Sequence, residues 1–112
     1  MAKPKGRTFR GGLSEMMKQA HRIQTRLEQV KEEIKDETWT AEAAGGKVKA
    51  TINGAREITE VQIDKELVDP EDLETLQDVV VSAINAALAL AEEKISERND
   101  AVTGGFRLPG MV

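Results

Sequence analysis

An apolar seam with a seven-residue period is the feature that most limits how this chain can fold. The seam comprises Leu13, Met16, Ala20, Ile23, Leu27, Val30 and Ile34. Three heptads with apolar residues at both seam positions predict an amphipathic α-helix over about residues 13–36. Such a seam is buried only by packing on another helix, in the same chain or in a second chain.

The apolar period falls to two after this helix, as is typical of strands. The predicted strands are Thr38–Ala43, Val48–Asn53 and Ile58–Asp64. The middle one is the clearest, because Val48, Ala50 and Ile52 alternate with polar residues. Asn53-Gly54 then predicts a tight hairpin turn, since both residues tolerate a positive φ. Together these segments predict a three-stranded antiparallel meander.

A second helix is predicted after the meander, beginning at Asp69-Pro70. Asp69 can cap the helix, and Pro70 fits the first turn because a missing N–H costs no hydrogen bond there. An apolar stripe with a 3.6-residue period then continues to about residue 99. The predicted order is α-β-β-β-α, an α+β fold. We expect a basic flexible arm over residues 1–12, a single domain over 13–100 and a Gly/Pro-rich tail over 101–112.

Element lengths favour a homodimer. Helices of 24–30 residues would be about 36–45 Å long, whereas strands of 5–7 residues span about 16–23 Å. The helices should therefore project beyond the sheet. The sheet also has two edges, and pairing with a second chain would cover unpaired strand edges.

Charge is distributed unevenly along the chain. Residues 1–35 hold nine Lys/Arg and four Glu, a formal charge of +5, although the whole chain carries −4. A basic segment within an acidic chain indicates a polyanionic partner. For binding, the local distribution of charge matters more than the net charge of the whole chain, because salt screens charges over about 8–10 Å.

The candidate binding residues form two groups. Lys18, Arg22 and Arg26 are spaced by four residues, so they form one basic stripe along the predicted first helix. The arm contributes Lys3, Lys5, Arg7 and Arg10. Both groups suit contacts with the phosphates of nucleic acid. The alternative is a solvated helix face balanced by nearby glutamates.

The sequence offers little for catalysis. It has no Cys, no Tyr and a single histidine, His21, which lies on the polar face of the predicted helix. Its paired acids and glycines lack the spacing of an EF-hand or a phosphate-binding loop. We therefore expect no enzyme activity, catalytic residue, metal, cofactor or small-molecule substrate. No apolar run suits a signal peptide or a membrane span, so we expect no membrane partner and a cytoplasmic location.

The motifs also resemble a known family. The matching segments, in chain order, are Gly11-Gly12-Leu13, Met16-Met17-Lys18-Gln19-Ala20, Val48–Asn53-Gly54, Ile58–Asp64, Leu67-Val68-Asp69-Pro70-Glu71-Asp72, Ala83-Ile84-Asn85-Ala86-Ala87, Thr103-Gly104-Gly105 and Pro109-Gly110. Their order and spacing resemble the YbaB/EbfC family of bacterial nucleoid-associated proteins over essentially the whole chain.

The resemblance implies an α-β-β-β-α homodimer whose sheets join and whose long helices project like the arms of tweezers. It implies binding and compaction of double-stranded DNA, with weak or no sequence specificity, an influence on transcription and a place at the nucleoid. It points to Lys18, Arg22 and Arg26 as the residues that contact DNA, with the basic arm beside them. The alternative function is a protein-interaction module that docks a partner through its helical seam.

Overall fold

A computed structural model describes residues 3–104, with side chains from Gly12 onward. The elements are α1 (Lys3–Ile34), β1 (Thr38–Ala43), β2 (Val48–Asn53), β3 (Ile58–Ile63), a 3₁₀ turn (Lys65–Leu67) and α2 (Leu73–Thr103). The strands form one antiparallel sheet in the order β1-β2-β3. The α+β fold and the meander predicted from the sequence are therefore confirmed.

The core lies on one face of this sheet. Val48, Ala50 and Ile52 of β2 are fully buried there. Their burial follows from the alternation seen in the sequence, since every second residue of a strand faces the same side. On the same face, the buried positions of α2 are Ala83, Ala87, Ala91 and Ile95. Alanines at this spacing let the helix backbone approach the sheet closely.

α2 has a second apolar face. Val81 and Leu88 lie seven residues apart and are 56% and 44% exposed, although their helix packs on the sheet. Among the described residues, α2 is also the only helix long and apolar enough to pass a length and composition test for a membrane span. That test uses length and composition alone; only 11% of the apolar window is buried, and its buried alanines belong to the core described above.

The first helix begins earlier than the seam predicts. It starts at Lys3 instead of near Leu13. Pro4 lies in the first turn, where proline is tolerated. A glycine inside a helix costs only about 1 kcal/mol relative to alanine, which a long helix can absorb. The predicted limit of the arm at residue 12 is thus not a helix boundary, while Met1 and Ala2 lie outside the described residues.

The second helix begins later than predicted. Asp72 caps it instead of Asp69, and its carboxylate accepts hydrogen bonds from the Thr75 amide at 3.3 Å and the Thr75 hydroxyl at 2.7 Å. These bonds, the hydroxyl's first, hold the pKa of Asp72 below its ordinary value. Asp69 instead accepts from the Glu71 amide at 2.9 Å, closing the turn before the helix. α2 ends at Thr103, and residues 105–112 of the predicted tail lie outside the described residues.

The hairpin after β2 is at the predicted place, but the proposed reason was wrong. The positive φ of this turn belongs to Arg56, at 63°, and not to Asn53 or Gly54. The Asn53 side chain instead accepts hydrogen bonds from the amides of Ala55 at 2.9 Å and Glu57 at 3.0 Å. Gly54 is required because any Cβ there would overlap the carbonyl group of Ile34 at the end of α1. The turn and the end of α1 are therefore packed backbone against backbone.

Candidate nucleic-acid interface

α1 extends well past the core. Its buried residues are Val30 and Ile34, whereas all positions from Gly12 to Arg22 are exposed. The helix has 32 residues, which corresponds to about 48 Å at 1.5 Å per residue. The molecule measures 87 × 26 × 16 Å. The segment 12–22 of α1 is thus presented to solvent as a projecting rod.

Lys18 and Arg22 lie on this rod. The Lys18 ammonium is 4.0 Å from the Glu15 carboxylate, and both side chains are more than half exposed. An exposed pair of this kind contributes about 0–1 kcal/mol, so it leaves Lys18 free to exchange partners. Arg22 forms no ion pair with any residue from 12 to 104. Both cations can therefore reach a phosphate without breaking a strong contact.

Arg26, the third residue of the stripe, is engaged within the chain. Its guanidinium donates to the Glu33 carboxylate at 2.9 Å and to the Gln29 side chain at 3.5 Å. The pair is half exposed and can open, but it neutralises part of the charge that Arg26 would offer. The structure therefore places the three stripe residues on one exposed helix, with Lys18 and Arg22 the more accessible cations.

The four arm cations continue the same helix in sequence. The backbone of α1 includes residues 3, 5, 7 and 10, while the side chains of Lys3, Lys5, Arg7 and Arg10 lie outside the described part of the structure. From Lys3 to Arg26 the helix carries seven Lys/Arg and one acid, Glu15. The acids of α1 otherwise lie in its packed C-terminal part. The part of α1 up to Arg26 is thus strongly basic.

The structure adds one cation that the sequence did not single out. Arg98 on α2 lines a groove together with Arg22 and Arg26. Its guanidinium is 2.9 Å from the Glu37 carboxylate, which holds it at the base of the rod. No spacing rule could have found Arg98, because the three strands separate α1 from α2 in the sequence.

The described residues offer little for metal-dependent chemistry. No group of three His, Cys, Asp or Glu side chains among residues 12–104 is arranged to hold a metal ion. His21 is exposed on α1 between Lys18 and Arg22. The features that stand out are therefore the basic rod and the apolar surfaces beside it.

Comparison with known proteins gives these features a context. The sequence profile of the YbaB/EbfC DNA-binding family matches residues 10–106. A nucleoid-associated protein of Clostridium acetobutylicum is 44% identical over 101 residues, covering 90% of each chain. One from Thermoanaerobacter pseudethanolicus is 41% identical over 105 residues, covering 92% of this chain and 95% of the relative.

A solved structure shares the fold of this chain. The crystal structure of an uncharacterized protein from Helicobacter pylori superimposes with a TM-score of 0.60 at 31% sequence identity. The match covers 70% of this chain and 90% of that one. The predicted resemblance is confirmed by the profile and the relatives, and the chain belongs to the YbaB/EbfC DNA-binding family.

Proposed function

We propose that this protein is a homodimer that binds duplex DNA mainly through phosphate contacts made by residues 3–26 of α1. The observation that carries the proposal is the run of seven cations and one acid on a helix that projects beyond the core. Lys18 and Arg22 are its principal contacts, Arg26 contributes after release from Glu33, and Lys3, Lys5, Arg7 and Arg10 extend the surface.

Contacts to phosphate position a protein on DNA but carry no direct sequence information. An interface built mainly from Lys and Arg side chains on one helix face therefore favours weak or no sequence specificity. Two such rods on one dimer could hold separate DNA segments, which would compact DNA and influence transcription. The relatives are named nucleoid-associated proteins, and by that kinship the chain belongs at the nucleoid in the bacterial cytoplasm.

A salt titration tests the phosphate-contact mechanism. If six to ten phosphates are neutralised, affinity should fall about 10³–10⁵-fold between 50 and 200 mM salt. The measurement is fluorescence anisotropy with two duplexes of equal length and unrelated sequence, which should give the same slope. Binding that is insensitive to salt, or absent at low salt, would contradict the proposal.

An uncovered apolar surface supports the homodimer. Val61 and Ile63 of β3 pair with Ala50 and Val48 of β2, so all four face the same side of the sheet. The β2 residues are fully buried, whereas Val61 is 36% and Ile63 is 42% exposed. The difference arises because α2 packs mainly on β1 and β2. A second chain would bury the rest of this face, together with the second apolar face of α2.

Val61→Asp is expected to separate the protomers, since it places a charge in that interface. The mass by light scattering should fall from twice 12.3 kDa towards 12.3 kDa. Gln62→Asp is the matched control, because Gln62 pairs with Lys49 on the opposite face of the same strand. A Val61→Asp protein that keeps the wild-type mass, with native circular dichroism, would show that this face is not the interface.

Docking of another protein through the helical seam is the second candidate. Leu13 and Met16 favour it, because they are 50% and 56% exposed on α1. Ile34 at the other end of the seam is only 2% exposed and is part of the core. Replacing Leu13 and Met16 by serine therefore tests the docking function without damaging the fold. Loss of a partner while DNA binding persists would favour this alternative.

A further inference from the structure

The exposed part of α1 carries a second surface beside the basic stripe. Within residues 12–104, Met17 is the most exposed large apolar residue, at 65%. It lines one depression of the surface with five other residues: Lys18, Ala20, His21, Arg22 and Gln24. The four that are neither Lys nor Arg form what we call the side patch: Met17, Ala20, His21 and Gln24. An exposed methionine thus shares a surface with two of the cations that the proposed function assigns to DNA.

The side patch and the seam face different directions. At 100° per residue, Met17 lies about 40° from His21 and about 20° from Gln24 around the helix. The patch borders the basic stripe, because His21 lies about 60° from Lys18. Met16 in the seam lies about 160° from Lys18, on the far side of the helix from the stripe. A partner held by the stripe therefore meets the side patch before it meets Met16.

The shape of α1 suits the major groove of B-DNA. With its side chains an α-helix is about 10–12 Å across, which matches the major groove at about 12 Å and exceeds the minor groove at about 6 Å. A helix in the major groove can reach phosphates with one flank and base edges with the adjoining face. If Lys18 and Arg22 contact phosphates, the adjoining face is the side patch.

The chemistry of the side patch matches the A·T base pair. In the major groove, thymine presents its C5-methyl group to apolar side chains, and adenine presents N6 and N7 to amide side chains. Met17 supplies an exposed apolar side chain and Gln24 an exposed amide. These two residues are seven positions apart, about 10.5 Å along the helix axis, or about three steps of 3.4 Å along one DNA strand. Both can therefore contact bases of one duplex at the same time.

We propose that α1 lies in the major groove with the side patch towards the bases, where Met17 packs against thymine methyl groups and Gln24 hydrogen-bonds to adenine. The inference rests on the proposed function and adds to it a weak preference for A·T pairs. The preference is weak because the phosphate contacts, which are the same for every sequence, supply most of the affinity.

Deoxyuridine tests the methionine contact, because it lacks only the C5-methyl group of thymine. Fluorescence anisotropy at low salt gives the affinity for two A·T duplexes of equal length, one with thymine and one with deoxyuridine throughout. The wild type should bind the deoxyuridine duplex about fourfold more weakly for each copy of α1 engaged, since one buried methyl-sized group contributes about 0.8 kcal/mol. Met17→Ala should bind both duplexes equally, with the salt slope of the wild type.

The amide contact has a parallel test. In 7-deazaadenine a C–H group replaces the N7 acceptor, while Watson–Crick pairing is kept. The wild type should bind a duplex with 7-deazaadenine throughout more weakly than the unmodified duplex, and Gln24→Ala should bind the two equally. An effect of 7-deazaadenine that survives in Gln24→Ala would overturn the role of Gln24.

Met16→Ala controls for the loss of an exposed methionine from α1, because Met16 lies on the side of the helix away from the stripe. It should keep the wild-type preference for the thymine duplex. Equal binding of both duplexes by the wild type, with a normal salt slope, would overturn this inference and leave the phosphate-contact proposal standing. A preference that persists in Met17→Ala would also overturn it, since the DNA alone would then cause the difference. No binding to either duplex at low salt would overturn the phosphate-contact proposal and this inference with it.

Discussion

Replacing both Lys18 and Arg22 by alanine is expected to weaken binding to duplex DNA by up to about 10³-fold at 0.1 M salt. The proposed dimer would lose four cations, and each phosphate contact contributes about 0.9 to the slope of log affinity against log salt. The slope should therefore fall by about 3–4 if all four contact phosphates. Both side chains are exposed and hold no strong partner among the described residues, so the fold should be unaffected.

The matched control is Lys49→Ala with Lys65→Ala. It removes the same charge from two exposed lysines outside α1, one on β2 and one in the 3₁₀ turn. Its slope should stay within about 1 of the wild type if the helix makes the contacts. Equal weakening by both pairs would mean that net charge governs binding and not the stripe. No weakening by Lys18→Ala and Arg22→Ala would place the DNA elsewhere on the molecule.

Gly54→Ala is expected to destabilise the fold by about 3 kcal/mol or more, at the upper end of the cost of overpacking a core. The added methyl would overlap the Ile34 carbonyl, and its next neighbour is the backbone of Lys35. Neither can yield as a flexible side chain would. The Gly54 amide, which donates to the Glu37 carbonyl at 3.0 Å, would also be displaced. Thermal unfolding by circular dichroism should show a midpoint lowered by about 10–20 °C.

Gly12→Ala is the control for that variant. Nothing lies within 4 Å of a Cβ at this position, which is inside α1. Alanine there should be neutral or stabilise the helix by about 0.5–1 kcal/mol. Both proteins must be compared at one concentration, because the stability of the proposed dimer would depend on protein concentration. A Gly54→Ala protein with an unchanged midpoint would refute the proposed backbone packing.

The sequence predicted the elements well because their signals are local. Val48, Ala50 and Ile52 define β2 by alternation alone, and the seam predicts α1 by its period. Contacts between elements could not be predicted from these local patterns. Asn53-Gly54 indicated the turn, but the need for glycine comes from Ile34, which approaches it only in the folded chain.

The ends of the helices were misplaced for related reasons. Both Asp69 and Asp72 can cap a helix. Which of them caps α2 depends on the path of the loop that leads from the sheet to this helix. Within the candidate interface, spacing placed Lys18 and Arg22 on one helix face. It could not show that Arg26 turns towards Glu33, or that Arg98 stands beside it. Ion pairing depends on side-chain conformation and on elements distant in sequence.

The attachment of α1 at one end has a mechanical consequence. The helix is held from about Ile23 to Ile34, and some 20 residues, about 30 Å, lie beyond this support. A rotation of about 10° at the support would move the start of the helix by about 5 Å, more than the 3.4 Å axial step between phosphates of one strand. In the proposed complex, a small change of packing at the support would therefore match the cations of α1 to DNA duplexes of different width or curvature.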